Sequence, residues 1–129
     1  MKFKHSAIAY NNDENKEWLE SIGYKLIPTK DFPCAFIITS TDGTFTFIRA
    51  QNVVILGEIN CIGNTPLFKA ISAMRDGNDY MQWFTNGDDF ELCRGIDFLM
   101  EDLTEGDLED RKRFWHKVTI EELKQLFKK

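Results

Sequence analysis

The spacing of apolar and polar residues along this chain changes period several times, and each period predicts an element. Segment 3–10 (FKHSAIAY) predicts a strand. The apolar residues of ENKEWLESIG share one helical face, with Asn12 or Asp13 as the cap and Gly23 in the left-handed position that ends a helix. The next segment, YKLIP, predicts a short strand that stops at Pro28.

Two hairpins follow from turn residues between alternating segments. The first hairpin consists of CAFIITS and TFTFIR, which flank the turn Thr41-Asp42-Gly43. The segment VVILGEINC that follows it predicts another strand, whose first half is buried on both faces. The second hairpin is YMQWFTNGDDFELC, because Asn-Gly suits the positive φ angles of a type I′ turn.

The register of the second hairpin follows from its loop. A two-residue loop at Asn86-Gly87 pairs Trp83 with Phe90 and Met81 with Leu92. These four side chains then share one face of the hairpin.

Three further helices are predicted. Asn64-Thr65-Pro66 begins the first of them and Gly77 ends it. IDFLMEDL (96–103) has helical apolar spacing, and a capping box opens the last helix, IEELKQLFKK. RFWHKV (113–118) fits an edge strand or a continued helix, and we favour the strand.

These elements predict a single α+β domain over residues 1–129, with an antiparallel or mixed sheet of about six to seven strands and three to four helices. The order strand, helix, strand, strand occurs at 3–40 and again at 53–94. It indicates either a βαββ pseudo-repeat or a coincidence of common motifs.

Composition narrows the class of protein. No apolar run approaches the ~20 residues of a membrane span, and AIAY is too short for a signal-peptide core, so we predict a cytoplasmic chain without membrane contact. Three separate cysteines without a CxxC pair, and two histidines, indicate neither a disulfide framework nor zinc. The calcium-loop pattern is also absent, so no metal or cofactor is predicted.

No catalytic motif is recognised, whether P-loop, GxGxxG, GxSxG or HExxH. A nucleophile and base at Cys93 and His116 are the alternative for a small enzyme, although their spacing does not support it. The sequence pI near 5.0 disfavours direct nucleic-acid binding.

The net charge of −5 is unevenly distributed. Residues 76–110 hold 12 acidic residues and one basic residue, for a local charge of −11, whereas residues 111–129 carry +5. Such a run is either a solvated surface or a docking face for a basic protein. We favour a non-catalytic protein–protein interaction, and an inhibitor or immunity protein that mimics nucleic acid is an alternative.

The predicted contact residues are of two kinds. The acidic face comprises Asp88, Asp89, Glu101, Asp102, Glu105, Asp107, Glu109 and Asp110. The aromatic anchor candidates are Trp83, Phe84 and Trp115, since aromatic residues dominate binding hot spots. A homodimer through a strand edge or the apolar side of 96–103 stays open.

Three phrases are spread over most of the chain, from residue 16 to residue 123: KEWLESIGYK (16–25), NTPLFKAISAMRD with YMQWFT and LC (64–93), and WHKVTIEEL (115–123). Together they resemble short uncharacterised proteins of bacteriophages and prophage-like elements of gut bacteria. The resemblance implies a small accessory protein that acts on a host factor or a phage-encoded partner, and it transfers no site residue.

Overall fold

The computed structural model describes residues 2–28, 34–49, 57–100 and 105–128, which form four α-helices and eight strands in two sheets. The strands are β1 (Ala7–Tyr10), β2 (Lys25–Leu26), β3 (Phe36–Thr39), β4 (Thr44–Ile48), β5 (Ile59–Asn60), β6 (Trp83–Thr85), β7 (Phe90–Leu92) and β8 (His116–Lys117). The helices are α1 (Asp13–Ser21), α2 (Thr65–Ser72), α3 (Glu105–Phe114) and α4 (Ile120–Leu126). The α+β class is confirmed.

The larger sheet has the strand order β2-β4-β3-β1-β5 and is mixed. β1 pairs antiparallel with β3 and parallel with β5, while β2 pairs parallel with β4. The β3–β4 hairpin around Thr41-Asp42-Gly43 is confirmed. Helix α2 packs on β1, and α1 and α4 pack beside α2, so the main core lies between this sheet and the three helices.

The signals that bound α1 act as predicted. The Asn12 side chain accepts a hydrogen bond from the Asn15 N–H at 2.8 Å, which caps the helix. Gly23 follows with a φ of 107°, a region that glycine enters without a Cβ clash.

Helix α2 begins where predicted but ends early. Asn64 caps it and Pro66 lies in its first turn, but the last helical residue is Ser72 and not a residue near Gly77. The reason is Arg75, which forms a bridge with Phe3 and is 2% exposed. Its guanidinium donates to the Ala73 carbonyl at 2.5 Å, and this arrangement requires the chain to leave the helix.

The second hairpin forms, but the predicted register is wrong. Trp83 pairs with Leu92 and Thr85 with Phe90, so the loop has four residues instead of two. The Asn86 side chain accepts hydrogen bonds from the N–H groups at 88 and 89, at 3.0 and 2.7 Å. This side-chain turn replaces the predicted type I′ turn, and Asn86 does not adopt the positive φ that the type I′ turn requires.

The hairpin belongs to a separate sheet of order β7-β6-β8, so the prediction of one sheet with six to seven strands is wrong. The physical reason is that the hairpin is apolar on both faces. Trp83 and Phe90 pack against the main core, whereas Phe84 joins a second cluster with Cys93 and Phe98. A layer with two apolar faces needs cover on both sides.

Segment 96–103 departs from its predicted helix. Its described part holds a single 3-10 turn at Phe98–Met100, and Ile96 is 75% exposed instead of facing a core. The apolar face of the predicted helix consisted of Ile96, Leu99, Met100 and Leu103 and did not include Phe98, which is the buried residue.

Helix α3 contains much of the acidic run and the basic residues after it. Four of its first six residues are acidic, and Arg111, Lys112 and Arg113 lie in its last turn. This order complements the helix dipole, which favours anions at the N-terminus and cations at the C-terminus. The reversal of charge along the sequence therefore has a structural explanation.

The chain after α3 combines both alternatives for RFWHKV. Arg113 and Phe114 end the helix, and His116–Lys117 form the edge strand β8 beside β6. The capping box that opens α4 is confirmed, because Thr119 and Glu122 bond each other's backbone N–H groups.

The buried half of the predicted strand VVILGEINC, residues 53–56, lies outside the described residues.

The repeated order strand, helix, strand, strand is present in the structure. In the first copy, β1, β2 and β3 lie in one sheet, whereas in the second copy β5 lies in the large sheet and the β6–β7 hairpin lies in the small sheet. The two sets therefore differ in their pairing.

Candidate functional site

The predicted acidic face is described in part. Asp88 and Asp89 lie exposed in the hairpin loop, and Glu109 and Asp110 lie exposed on α3. Glu101 and Asp102 fall outside the described residues, as do the side chains of Glu105 and Asp107. Thr85 pairs with His116, so the hairpin loop lies toward the basic end of α3. The described acids therefore occupy two separate places.

Arg111 fixes α3 to the small sheet. It is 8% exposed, and its guanidinium lies 2.6 Å from a Glu91 carboxylate oxygen. The same group donates to the Phe98 carbonyl at 2.9 Å and lies 3.9 Å from the centroid of the Phe98 ring. One of the basic residues after the acidic run is thus a structural contact.

The three aromatic anchor candidates lie on different sides of the small sheet. Phe84 is buried and stacks on Phe98, with 4.0 Å between ring centroids. Trp115 packs on the same cluster, and its indole N–H donates to Asp110 at 3.2 Å. Trp83 faces the other way and lines a groove.

This groove lies between helices α1 and α2 and the β6–β7 hairpin, with the end of α4 beside it. Its volume of about 380 Å³ is in the range of small binding pockets. Five large apolar side chains line it, and each keeps part of its surface exposed. They are Trp18, Met81, Trp83, Leu92 and Phe127.

Contacts behind the groove hold its walls in place. The Trp18 indole N–H donates to the Ser72 hydroxyl at 2.9 Å. Trp83 meets the Phe127 ring edge to face at 5.6 Å, and the Asn64 amide donates to the Phe127 carbonyl at 2.9 Å. The aromatic surfaces are therefore positioned before any ligand arrives, which reduces the entropic cost of binding.

The mouth of the groove is polar on one side. Lys69 donates to a Glu14 carboxylate oxygen at 2.9 Å, and its ammonium lies 5.8 Å from the Trp18 ring centroid. The rest of the lining is mainly apolar. The groove is thus suited to a large apolar group that enters from solvent.

Met81 in the groove wall has strained backbone geometry. Its φ is 61°, which makes it the one non-glycine residue with positive φ in the described ranges. Its N–H donates to the Cys93 carbonyl at 2.7 Å, and this bond holds the conformation. Such strain persists where the surrounding structure determines it, and it is concentrated at functional sites.

The alternative catalytic pair is not brought together. Cys93 is fully buried and its thiol donates to the Gly95 carbonyl at 3.2 Å. His116 lies 3.0 Å from a Glu122 carboxylate oxygen, on the strand at the other side of β6. Cys93 and His116 lie on opposite sides of β6, two strand spacings apart, and are offset by three residues along the strand direction. The distance between them is therefore roughly 14 Å.

The described residues hold neither a metal-binding cluster nor a membrane-spanning helix. Within 2–28, 34–49, 57–100 and 105–128, no group of three or more His, Cys, Asp or Glu side chains is arranged to hold a metal ion. No helix in those ranges has the length and apolar character to cross a bilayer.

Burial raises the pKa of the Cys61 thiol to about 12, so this thiol is unreactive at neutral pH.

Met81, Trp83 and Leu92 were predicted to share one face of the hairpin, and all three line the groove, whereas no sequence pattern indicated that Trp18 and Phe127 join them. Trp18 and Phe127 were read only as inward positions of their helices, and nothing in the sequence signals the positive φ of Met81. Only the tertiary arrangement places them together.

The fold and site define an α+β protein with a preformed aromatic groove. No protein-family model, no curated protein and no solved structure matches the chain.

Proposed function

We propose that the chain is a non-catalytic binding protein that recognises another protein through the aromatic groove. The observation that supports this most is the convergence of five partly exposed large apolar side chains on one concave site. Interface hot spots are rich in such residues and lie in preformed, desolvated pockets.

The acidic residues have a secondary role in this proposal. Asp88 and Asp89 lie in the loop of the hairpin that forms one groove wall, and Glu109 and Asp110 add negative charge on α3, on the other side of the small sheet. Exposed charges outside the contact itself raise the association rate of an oppositely charged partner through their long-range field more than they raise affinity. The partner is accordingly proposed to have a basic surface.

The biological context of the proposal is an accessory protein of a bacteriophage or a prophage-like element. Its only support is the resemblance of the three phrases given above. A small binding protein with a preformed groove is compatible with action on a host factor or on a phage-encoded partner.

A matched pair of variants tests the proposal. Met81→Glu places a charge in the groove, whereas Tyr80→Glu places the same charge on the adjacent residue, which is 41% exposed and outside the groove lining. Each tagged protein captures partners from cells that carry the chain, and the captured protein is then purified for affinity measurements. Met81→Glu is expected to raise Kd about 30-fold or more, which corresponds to the loss of a hot spot.

Tyr80→Glu is expected to keep Kd within about threefold of the unmodified protein, because exposed positions outside a hot spot contribute little. Circular dichroism establishes that both variants fold. A purified partner that binds all three proteins equally would show that the groove is not the contact site.

A further inference from the structure

Among the described residues, one long side of β7 in the small sheet has no strand partner. In the sheet order β7-β6-β8, β7 is an edge strand among the described residues. Edge strands present unpaired N–H and C=O groups that can pair with another chain. This edge borders the groove, because Leu92 belongs to both.

The hydrogen bonds with β6 determine which backbone groups face outward. The Cys93 N–H bonds the Gln82 carbonyl at 2.9 Å, and the Asn86 N–H bonds the Asp89 carbonyl at 3.3 Å. Hydrogen-bonded and non-bonded pairs alternate in an antiparallel ladder. Phe90 and Leu92 therefore direct their N–H and C=O groups away from β6.

An added strand would place side chains on the groove side. Residues directly opposite each other in neighbouring strands share one face of the sheet. A residue opposite Leu92 would project onto the face that carries Trp83, where the groove lies. Pairing along β7 and insertion into the groove are therefore compatible in a single extended segment.

Charge complementarity determines a second position in that segment. Asp88 and Asp89 lie exposed at the start of β7, and Asp89 precedes Leu92 by three residues, or about 10 Å along a strand. A basic residue about three positions from the apolar one would lie beside these carboxylates.

We infer that the occupant of the groove is an extended peptide segment that adds a strand to the free edge of β7. It inserts a large apolar side chain between Trp18 and Trp83 and places Lys or Arg, about three residues away, beside Asp88 and Asp89. This inference rests on the proposed function, because it names the partner chemistry of the same groove. Backbone pairing supplies affinity and the groove supplies specificity.

The test uses a displayed library of random linear twelve-residue peptides, selected on the full chain and counter-selected on Met81→Glu. Selected peptides are synthesised, and each backbone nitrogen is methylated in turn. Strand pairing predicts a period of two: methylation at alternate residues raises Kd about tenfold, as expected for one or two lost backbone hydrogen bonds, and methylation between them has little effect. Amide exchange at Phe90 and Leu92 is expected to slow at least about tenfold with peptide bound.

The outcomes separate the two proposals. Peptides that need the groove but show no alternation, or that leave exchange at Phe90 and Leu92 unchanged, would refute strand addition and leave the proposed function standing. A selection in which every peptide binds Met81→Glu as well as the unmodified chain would refute both. Charge reversal at Asp88 and Asp89 is expected to weaken the selected peptides that contain the basic residue at least about fivefold, and an equal effect on peptides without it would contradict the proposed register.

Discussion

Arg111 holds helix α3 against the small sheet, and replacing it with methionine tests how much this contact contributes. Arg111→Met keeps an unbranched apolar side chain in the same position but removes the guanidinium. Three contacts of the guanidinium are described: the Glu91 carboxylate at 2.6 Å, the Phe98 carbonyl at 2.9 Å and the Phe98 ring at 3.9 Å. All three are lost together.

The magnitude follows from the exposure of each partner. The hydrogen bond to a buried carbonyl contributes about 1 kcal/mol. The ion pair is discounted to about 1 kcal/mol, because 43% of the Glu91 side chain is exposed. The cation–π contact adds about 1 kcal/mol. The free energy of unfolding is therefore expected to fall by about 3 kcal/mol, with folding retained at ordinary domain stabilities.

Urea denaturation followed by circular dichroism measures this change. Lys112→Met is the matched control, since Lys112 is exposed on the same helix turn and its replacement is expected to change stability by less than about 0.5 kcal/mol. Glu91→Gln is expected to cost about 1 kcal/mol, and it isolates the ion pair. If Arg111→Met resembles Lys112→Met, the guanidinium does not hold α3 and the assignment of this contact is wrong.

Three further predictions concern strain, pH and charge. At Met81, glycine is expected to be more stable than alanine by about 1 kcal/mol in thermal unfolding, because φ is positive there, and the usual advantage of alanine would contradict this. Burial raises the pKa of Tyr24 above its ordinary value, so the folded state keeps this proton where the unfolded state loses it. Stability should fall above about pH 10 by up to about 1.4 kcal/mol per pH unit more than in Tyr24→Phe, and parallel pH profiles would refute the assignment. Reversal of Asp88, Asp89 and Glu109 to lysine is expected to slow partner association at least about tenfold with little change in urea midpoint, and an unchanged rate would remove their steering role.

The ends of most helices follow from residues close in sequence and were predicted. The prediction failed where the end of a helix depends on a contact with a distant part of the chain. Asn12, Gly23 and the Thr119 capping box act through neighbours within a few residues, so the sequence alone specifies them. Helix α2 ends early because buried Arg75 forms a β-bridge with Phe3, which is far away along the chain. The β6–β7 register depends on a side-chain turn at Asn86 that competes with the type I′ turn of Asn-Gly.

The candidate site was less predictable than the fold. Trp83 was expected as an anchor because aromatic residues dominate interfaces, and it lines the groove. The acidic run was predicted to be a contact face because of its charge. Part of it lies in α3, where acidic residues near the start and basic residues in the last turn match the helix dipole. Trp18 and Phe127 both line the groove although more than one hundred residues separate them in the chain. No periodicity in the sequence indicates that residues so far apart line the same groove.

The central claim, that the groove is the contact site, is tested most directly with the three tryptophans. Trp18 and Trp83 line the groove, and Trp115 lies on the other side of the small sheet. The chain labelled with 5-fluorotryptophan gives three ¹⁹F signals, assigned through single Trp→Phe variants. Titration with the purified partner is expected to shift the signals of Trp18 and Trp83 and leave that of Trp115 in place. A shift of the Trp115 signal alone would contradict the account and move the contact to α3.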